Sequence, residues 1–231
     1  MEKKINHITV FTGAGISAES GLKTFRGAGG LWEGYHIEEV ATPDAWYRNP
    51  ELVQRFYNER RKPCLQAKPN LAHFALVELA KYYDVSIITQ NIDDLHERAG
   101  SNNVLHLHGE IIKSQSSLNP KLTYPIIGDE IKMGEKCALG SQLRPHVVWF
   151  GETVPNMERA FQIIRQTDML IVIGTSLKVY PAAQLIYEVK SDCEIIVIDP
   201  FALENKIPGQ VSYIAEKATT GVVNLVKNLT K

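Results

Sequence analysis

Apolar residues along this chain gather in short, near-continuous runs. Leu170-Ile171-Val172-Ile173 and Ile195-Ile196-Val197-Ile198 contain no polar position. That pattern suits parallel strands covered on both faces rather than strands with one wet side. Six strands are predicted, at 8–11, 85–89, 147–150, 169–173, 194–198 and 211–214. Helix-like segments separate most of them. Pro50, Pro69, Pro155 and Pro181 each stand where such a segment would begin, a position that tolerates the missing N–H. Strand–helix alternation predicts an α/β fold with a doubly wound parallel sheet.

Two stretches break the alternation. Residues 22–61 hold a loop with Gly27, Gly29, Gly30 and Gly34, then a helix from about Glu51. Residues 110–144 lack strong periodicity and carry Pro120, Pro125, Gly128, Gly134 and Gly140. Both are expected to lie outside the sheet and to pack together as a smaller second part (22–61 and 110–144). The larger part would be 1–21, 62–109 and 145–231. No internal repeat or low-complexity tract is visible.

Composition narrows the function classes only slightly. The 231 residues are 44% hydrophobic with a formal net charge of −1. Nothing there favours nucleic acid or an acidic membrane surface as a partner. No apolar run approaches the roughly 20 residues of a membrane span, and the basic N-terminus lacks the apolar segment of a signal peptide. Cys64, Cys137 and Cys193 are odd in number and far apart, so a disulfide framework is not expected and a reducing cytoplasm fits best.

Candidate chemistry clusters at predicted strand ends. Gly13-Ala14-Gly15-Ile16-Ser17-Ala18 follows the first strand and matches a G-x-G-x-x-A turn, which cradles a pyrophosphate or is simply a tight turn. A dehydrogenase would show a second strand ending in an acidic residue about 20 positions on. Glu33 has that spacing, but 25–32 cannot be read as a buried strand. Gln90-Asn91-Ile92-Asp93 ends another strand, where ligands gather in open α/β sheets; Asp93 or Asp94 also suits a helix cap. In Leu105-His106-Leu107-His108-Gly109 the alternation turns both imidazoles to one side. Tyr57 and Arg60 share one face of the predicted helix by their spacing of three. Read alone, that pair is a solvated arginine beside a half-buried tyrosine.

The ordered set formed by the glycine turn, Thr24-Phe25-Arg26-Gly27, Thr89-Gln90-Asn91-Ile92-Asp93, Leu107-His108-Gly109, Val148-Trp149-Phe150-Gly151-Glu152 and Gly174-Thr175-Ser176 resembles the sirtuins, the NAD-dependent protein deacylases. The resemblance runs from about Val10 to Asp199. It implies a Rossmann-like domain with a small domain built from two insertions. It implies NAD contacts from Gly13, Ala14, Gly15, Ser17, Trp32, Ile92 and Ala218, with Gly174, Thr175 and Ser176 on the adenosine side. Arg26 would lie near the phosphates and Phe25 would shield the reacting ribose carbon. Asn91 would bind the nicotinamide ribose, with Gln90 close by, and Asp93 the carboxamide.

His108 takes the family's general-base position, and an imidazole suits proton transfer near neutrality. The implied reaction has the acyl oxygen of an acylated lysine attack C1′ of NAD as nicotinamide leaves. His108 then removes a ribose hydroxyl proton, and lysine and O-acyl-ADP-ribose are released. His96, His106 and His146 have no implied catalytic part. Val148, Phe150, Gly151 and Val179 would pair with the substrate peptide as an added strand. Tyr57 and Arg60 match the Tyr-x-x-Arg of class III sirtuins, which holds the distal carboxylate of malonyl-, succinyl- or glutaryl-lysine. Ala41 would leave room for the longer acyl group.

Most sirtuins also bind a structural zinc through two cysteine pairs. Here the corresponding interval has Cys137 alone and reads Lys113-Ser114-Gln115-Ser116-Ser117 where the first pair should fall. A tetrahedral structural site needs four soft or borderline ligands, which this stretch cannot supply, so no zinc is expected. Contacts from Leu118, Leu122, Tyr124, Pro125, Ile126, Ile127, Ile131 and Met133 are expected to hold the interval instead. A monomer is expected. Protein ADP-ribosyl transfer, deacetylation without acidic-acyl preference and non-catalytic NAD binding remain open alternatives.

Overall fold

The computed structural model describes residues 5–24, 31–32, 34–202, 207 and 210–231, with side chains at 31 and 32 excepted. In chain order the elements are β1 (His7–Thr12), β2 (Leu31–Trp32), β3 (Tyr35–His36), α1 (Ile37–Val40), α2 (Pro43–Arg48), α3 (Pro50–Gln66), α4 (Leu71–Leu79), β4 (Asp84–Thr89), α5 (Leu95–Ala99), β5 (Val104–His106) and β6 (Gly109–Ser116). Beyond these come β7 (Thr123–Pro125), β8 (Leu143–Val147), α6 (Met157–Ile164), β9 (Met169–Ile173), β10 (Glu194–Ile198), β11 (Val211–Ile214) and α7 (Ala218–Leu229).

The main sheet runs β11-β10-β9-β1-β4-β5, and every pairing in it is parallel. Its uninterrupted apolar runs are explained by the two faces. Phe11, Ile88, Leu170 and Val172 enter one buried cluster with α6; Val10, Ile87, Ile171 and Ile173 enter the other with α4 and α7. The expected α/β architecture is therefore present. Chain order steps outward on both sides of β1, which creates a switch point at the C-terminal strand ends.

The predicted strand at 147–150 is not part of this sheet. Its first residue ends β8, which pairs antiparallel with β6, and the main sheet's remaining strand is the short β5. The segment 148–150 is used differently. Val148 N–H donates to the His108 carbonyl and Phe150 N–H to the Ala41 carbonyl, both at 2.9 Å, so the run wraps the site. Of the four prolines, only Pro50 is a first helical residue of an α-helix; Pro69 and Pro155 precede the caps Asn70 and Asn156, and Pro181 caps a 3-10 turn.

The first interruption builds a core that takes one buried residue, Ile111, from the second and two from beyond it. Val40, Trp46, Val53, Phe56 and Tyr57 pack with Ile111, Val147 and Trp149. The expected apolar contacts of the second interruption are mostly absent: Leu118 is 72% exposed and Ile127 96%, and only Ile131 is deeply buried. Hydrogen bonds from one face of α3 take their place. Gln54 Nε2 and Asn58 Nδ2 each donate to the Ile131 carbonyl at 3.0 Å, and Ile131 N–H donates to Asn58 Oδ1. Arg61, fully buried, donates from Nε to the Ile111 carbonyl at 2.7 Å and from Nη1 to Asn58 Oδ1 and the Asp129 carbonyl. Among the described residues no helix is long and apolar enough to cross a membrane.

Candidate active site

A cleft of about 1430 Å³ opens at the C-terminal ends of the main-sheet strands. The loop after β1 crosses the loop after β9 beneath it. Gly13 N–H donates to the Ile173 carbonyl at 3.0 Å and Gly15 N–H to the Gly174 carbonyl at 2.8 Å. A Cβ on Gly15 would stand 2.5 Å from Gly174 Cα, and Gly174 itself has φ +60°. These glycines thus permit, first of all, two backbones to touch. The glycine turn leads into a pair of 3-10 turns, not the α-helix N-terminus that a dinucleotide turn predicts.

The polar groups at the end of β4 are tied to both loops. Gln90 Nε2 donates to Thr175 Oγ1 at 3.0 Å. Asn91 Nδ2 donates to Ser17 Oγ at 3.2 Å, and Ser17 donates to Asp93 Oδ2 at 3.1 Å. Burial pushes the Asp93 carboxyl above its ordinary value, against the opposing bonds from Leu95 N–H and Ser17. Its Oδ1 accepts the Leu95 amide at 3.2 Å, so the helix-cap reading and the cleft reading hold at once. Asp94, the N-cap of α5, pairs with Arg98 at 2.9 Å. Ala218 opens α7, whose first turn is joined to the β1 loop by Glu19: its Oε2 accepts from Thr219 N–H and Oγ1.

His106 and His108 do point one way, to consecutive carbonyls. His106 Nδ1 meets the Asn91 carbonyl at 2.9 Å and His108 Nδ1 the Gln90 carbonyl at 3.0 Å. A carbonyl only accepts, so Nδ1 of His108 carries the proton and Nε2 presents a lone pair. Burial lowers its pKa, against the raising effect of that bond, and keeps the ring neutral at pH 7. His106 differs. Its Nε2 lies 2.8 Å from Glu97 Oε1; burial opposes its charging, but the Glu97 bond and charge and the Asn91 carbonyl outweigh this and raise its pKa. His108 thus presents an unprotonated nitrogen, whereas both ring nitrogens of His106 face acceptors.

At the other end of the cleft stand Ala41, Tyr57 and Arg60. Tyr57 is fully buried, and Arg60 is half-buried with its guanidinium 5.7 Å from the Phe56 ring. Burial holds the Tyr57 phenol well above its ordinary pKa, although Arg60 and Trp149 favour the ionised form, so it remains a donor. Trp149, absent from the predicted site, is also buried here, tilted at 36° to Tyr57 with centroids 6.5 Å apart. Arg144 stacks 3.8 Å over its ring while donating to Glu152 Oε1 at 2.6 Å, and Glu152 accepts Trp149 N–H at 2.8 Å. The sequence signal for this support was the glutamate three residues after a tryptophan in an otherwise apolar run.

Every predicted site residue whose side chain is described lines the cleft, including Ala14, Ile92, Val148, Phe150, Gly151, Ser176 and Val179. Phe25 and Arg26 lie outside the described residues, as does the side chain of Trp32. Asp199 and Lys217, not anticipated, line it as well. His96 and His146 do not line it. Among the described residues no three His, Cys, Asp or Glu side chains are grouped as metal ligands. The Cys137 thiol meets the hydroxyls of Ser116 (3.2 Å) and Ser141 (3.1 Å), which makes a poor zinc donor set.

Known proteins are similar to this chain in sequence and fold. A family model described as "Sir2 family" matches residues 13–181. A Helicobacter pylori (strain J99) protein named NAD-dependent protein deacylase is 49% identical over 225 residues, 97% of this chain and 96% of that one. A solved Sir2 homologue–NAD complex is 40% identical with a TM-score of 0.87, covering 98% of this chain and 90% of that one. A second, described as Sir2 with p53 peptide and NAD+, is 30% identical with a TM-score of 0.76 over 98% and 93% of the two chains. The glycine turn, the Gln90–Asp93 strand end and the His-Gly motif all fall within the matched span, and the chain belongs to the Sir2 family.

Proposed function

We propose that this enzyme transfers the acyl group of acyl-lysine on a protein or peptide to the ADP-ribose moiety of NAD, with release of nicotinamide and a preference for acidic acyl groups. Family membership and relatives named for this activity support the reaction. The observation that carries it is His108: a neutral imidazole, pinned by the Gln90 carbonyl, with its Nε2 lone pair free to take a proton in the cleft.

NAD would supply the electrophilic ribose carbon and the leaving group. The chain's own residues do the rest. Asn91 and Asp93, locked through Ser17, orient the nicotinamide ribose and carboxamide. His108 takes the ribose hydroxyl proton as that oxygen attacks the acyl carbon, and one water molecule then supplies the oxygen needed for the lysine amine to leave. The crossed loops at Gly15 and Gly174 carry the phosphate and adenosine end. The walls exclude water from a cation-like centre. Val148 and Phe150 already spend their amides internally, so an added substrate strand would use their carbonyls together with the Gly151 and Val179 backbone.

The acidic-acyl preference rests on Tyr57 and Arg60 beside the small Ala41. A neutral phenol and a guanidinium offer a carboxylate a donor and a charge-assisted pair. The small sheet, in this reading, holds without zinc through the Gln54–Asn58–Arg61 face of α3. About one chelator-resistant zinc per chain in purified protein would overturn that point. The reaction itself is tested by incubation with NAD and a succinyl-lysine peptide. Equimolar nicotinamide, free lysine peptide and O-succinyl-ADP-ribose are expected. ADP-ribose left on protein instead would replace this reading with ADP-ribosyl transfer.

A further inference from the structure

Two buried histidines play no part in that reading. His73 on α4 and His96 on α5 are both 0% exposed, and their rings meet edge to face with centroids 5.0 Å apart. Their tautomers are set by their partners. Asn70 N–H donates to His73 Nδ1 at 3.2 Å, so Nε2 of that ring carries the proton. Thr12 donates its hydroxyl proton to Thr89 Oγ1 at 2.8 Å. Its 3.1 Å contact with His96 Nε2 is therefore one in which the ring N–H donates, and His96 Nδ1 is bare. Neither His73 Nε2 nor His96 Nδ1 has another partner among the described residues. The two rings touch edge to face, but these two nitrogens are not hydrogen-bonded to each other. Burial lowers both pKa values, His73 to about 4, so both rings are neutral.

The far end of this chain of groups is the cleft. Thr89 Oγ1 accepts the Asn91 amide at 3.0 Å, and Asn91 holds Ser17, which holds Asp93. Each bond points the same way from ring to Thr12 to Thr89, and such aligned chains strengthen one another in a dry interior.

We propose that His96 is a positioning residue for the NAD site: by donating to Thr12 it aims the Thr12 hydroxyl at Thr89 and so fixes the turn that presents Asn91. This rests on the reading that Asn91 meets the nicotinamide ribose. The same logic makes Thr12 and Thr89 the links through which His96 acts.

The test combines Thr12→Val, Thr12→Ser and His96→Gln, whose amide keeps a donor at the Nε2 position. Three readouts are taken: imidazole ¹⁵N shifts of the unliganded protein, the Kd for ADP-ribose by calorimetry, and KM for NAD against KM for the peptide. Wild type is expected to show His96 protonated at Nε2 and not at Nδ1. Thr12→Val is expected to weaken ADP-ribose and raise KM for NAD about tenfold, the size of one buried hydrogen bond, while KM for the peptide stays within about twofold. Thr12→Ser and His96→Gln should restore both NAD values to within about threefold. An Nδ1-protonated His96, unchanged ADP-ribose binding in Thr12→Val, equal losses for both substrates, or no rescue would each overturn the proposal. If wild type failed to bind ADP-ribose, the NAD reading of Asn91 would fall, whereas the ¹⁵N shifts score the relay independently.

Discussion

Replacing Arg60 by methionine should separate acyl selectivity from catalysis. Methionine keeps an unbranched apolar stem, but removes the guanidinium over the Phe56 ring together with its charge and paired donors. Truncating one partner of a buried, hydrogen-bonded charge pair costs about 2–5 kcal/mol. Arg60 is half-buried at the cleft wall, so solvent screening places it near the low end. About 2 kcal/mol corresponds to roughly a 30-fold fall in kcat/KM for succinyl-lysine peptide. The acetyl-lysine peptide has no distal carboxylate to lose, so its kcat/KM should stay within about threefold. Tyr57→Phe, which removes one neutral donor, should cost the succinyl substrate about 1 kcal/mol, roughly fivefold. The assay is steady-state nicotinamide release on peptides differing only in the acyl group. Equal losses on both substrates would make Arg60 a structural residue and refute the reasoning.

The same geometry has other consequences. His108→Tyr should abolish turnover while leaving the Kd for NAD within a few-fold of wild type; lost NAD binding would contradict its role as base. Because burial lowers the His108 pKa, its base form persists as pH falls, and the acid limb of kcat/KM should lie below about 6.5; a limb above that value would mean a solvated imidazole. Arg61→Met strips the Ile111 and Asp129 carbonyls of a donor in a buried site. It should cost about 3 kcal/mol, a fall in Tm of roughly 6–12 °C at this chain length. A shift under about 2 °C would remove the α3 hydrogen bonds as the anchor of the small sheet.

How far the sequence discloses the fold depends on what each segment buries. The runs that became β9 and β10 were legible because both faces are apolar and nothing else can cover them. The run at 147–150 looked the same, yet its amides serve His108 and Ala41, a tertiary use that hydropathy does not register. β6 escaped detection for the opposite reason. Ser114, Gln115 and Ser116 are buried in it, satisfied by partners such as Tyr124, Ser141 and Cys137, so its polar letters read as solvent-facing. The α3 face of Gln54, Asn58 and Arg61 likewise reads as a wet stripe and is a set of clamps. For the site, motif resemblance brought together residues from separate strand ends that all reach one cleft. Trp149 and its Arg144–Glu152 support were missed because the glutamate three residues on does not disclose which cation it holds against the tryptophan.

The central claim, acyl transfer with an acidic-acyl preference, is tested most directly by kcat/KM with NAD on matched acetyl-, malonyl-, succinyl- and glutaryl-lysine peptides. The account predicts nicotinamide release with each and at least one acidic acyl group favoured over acetyl by about tenfold or more, the least that a charge-assisted pair at Tyr57 and Arg60 should give. Acetyl turned over as well as or better than every acidic acyl group would contradict the assignment of Tyr57 and Arg60, and no nicotinamide release with any peptide would contradict the reaction itself.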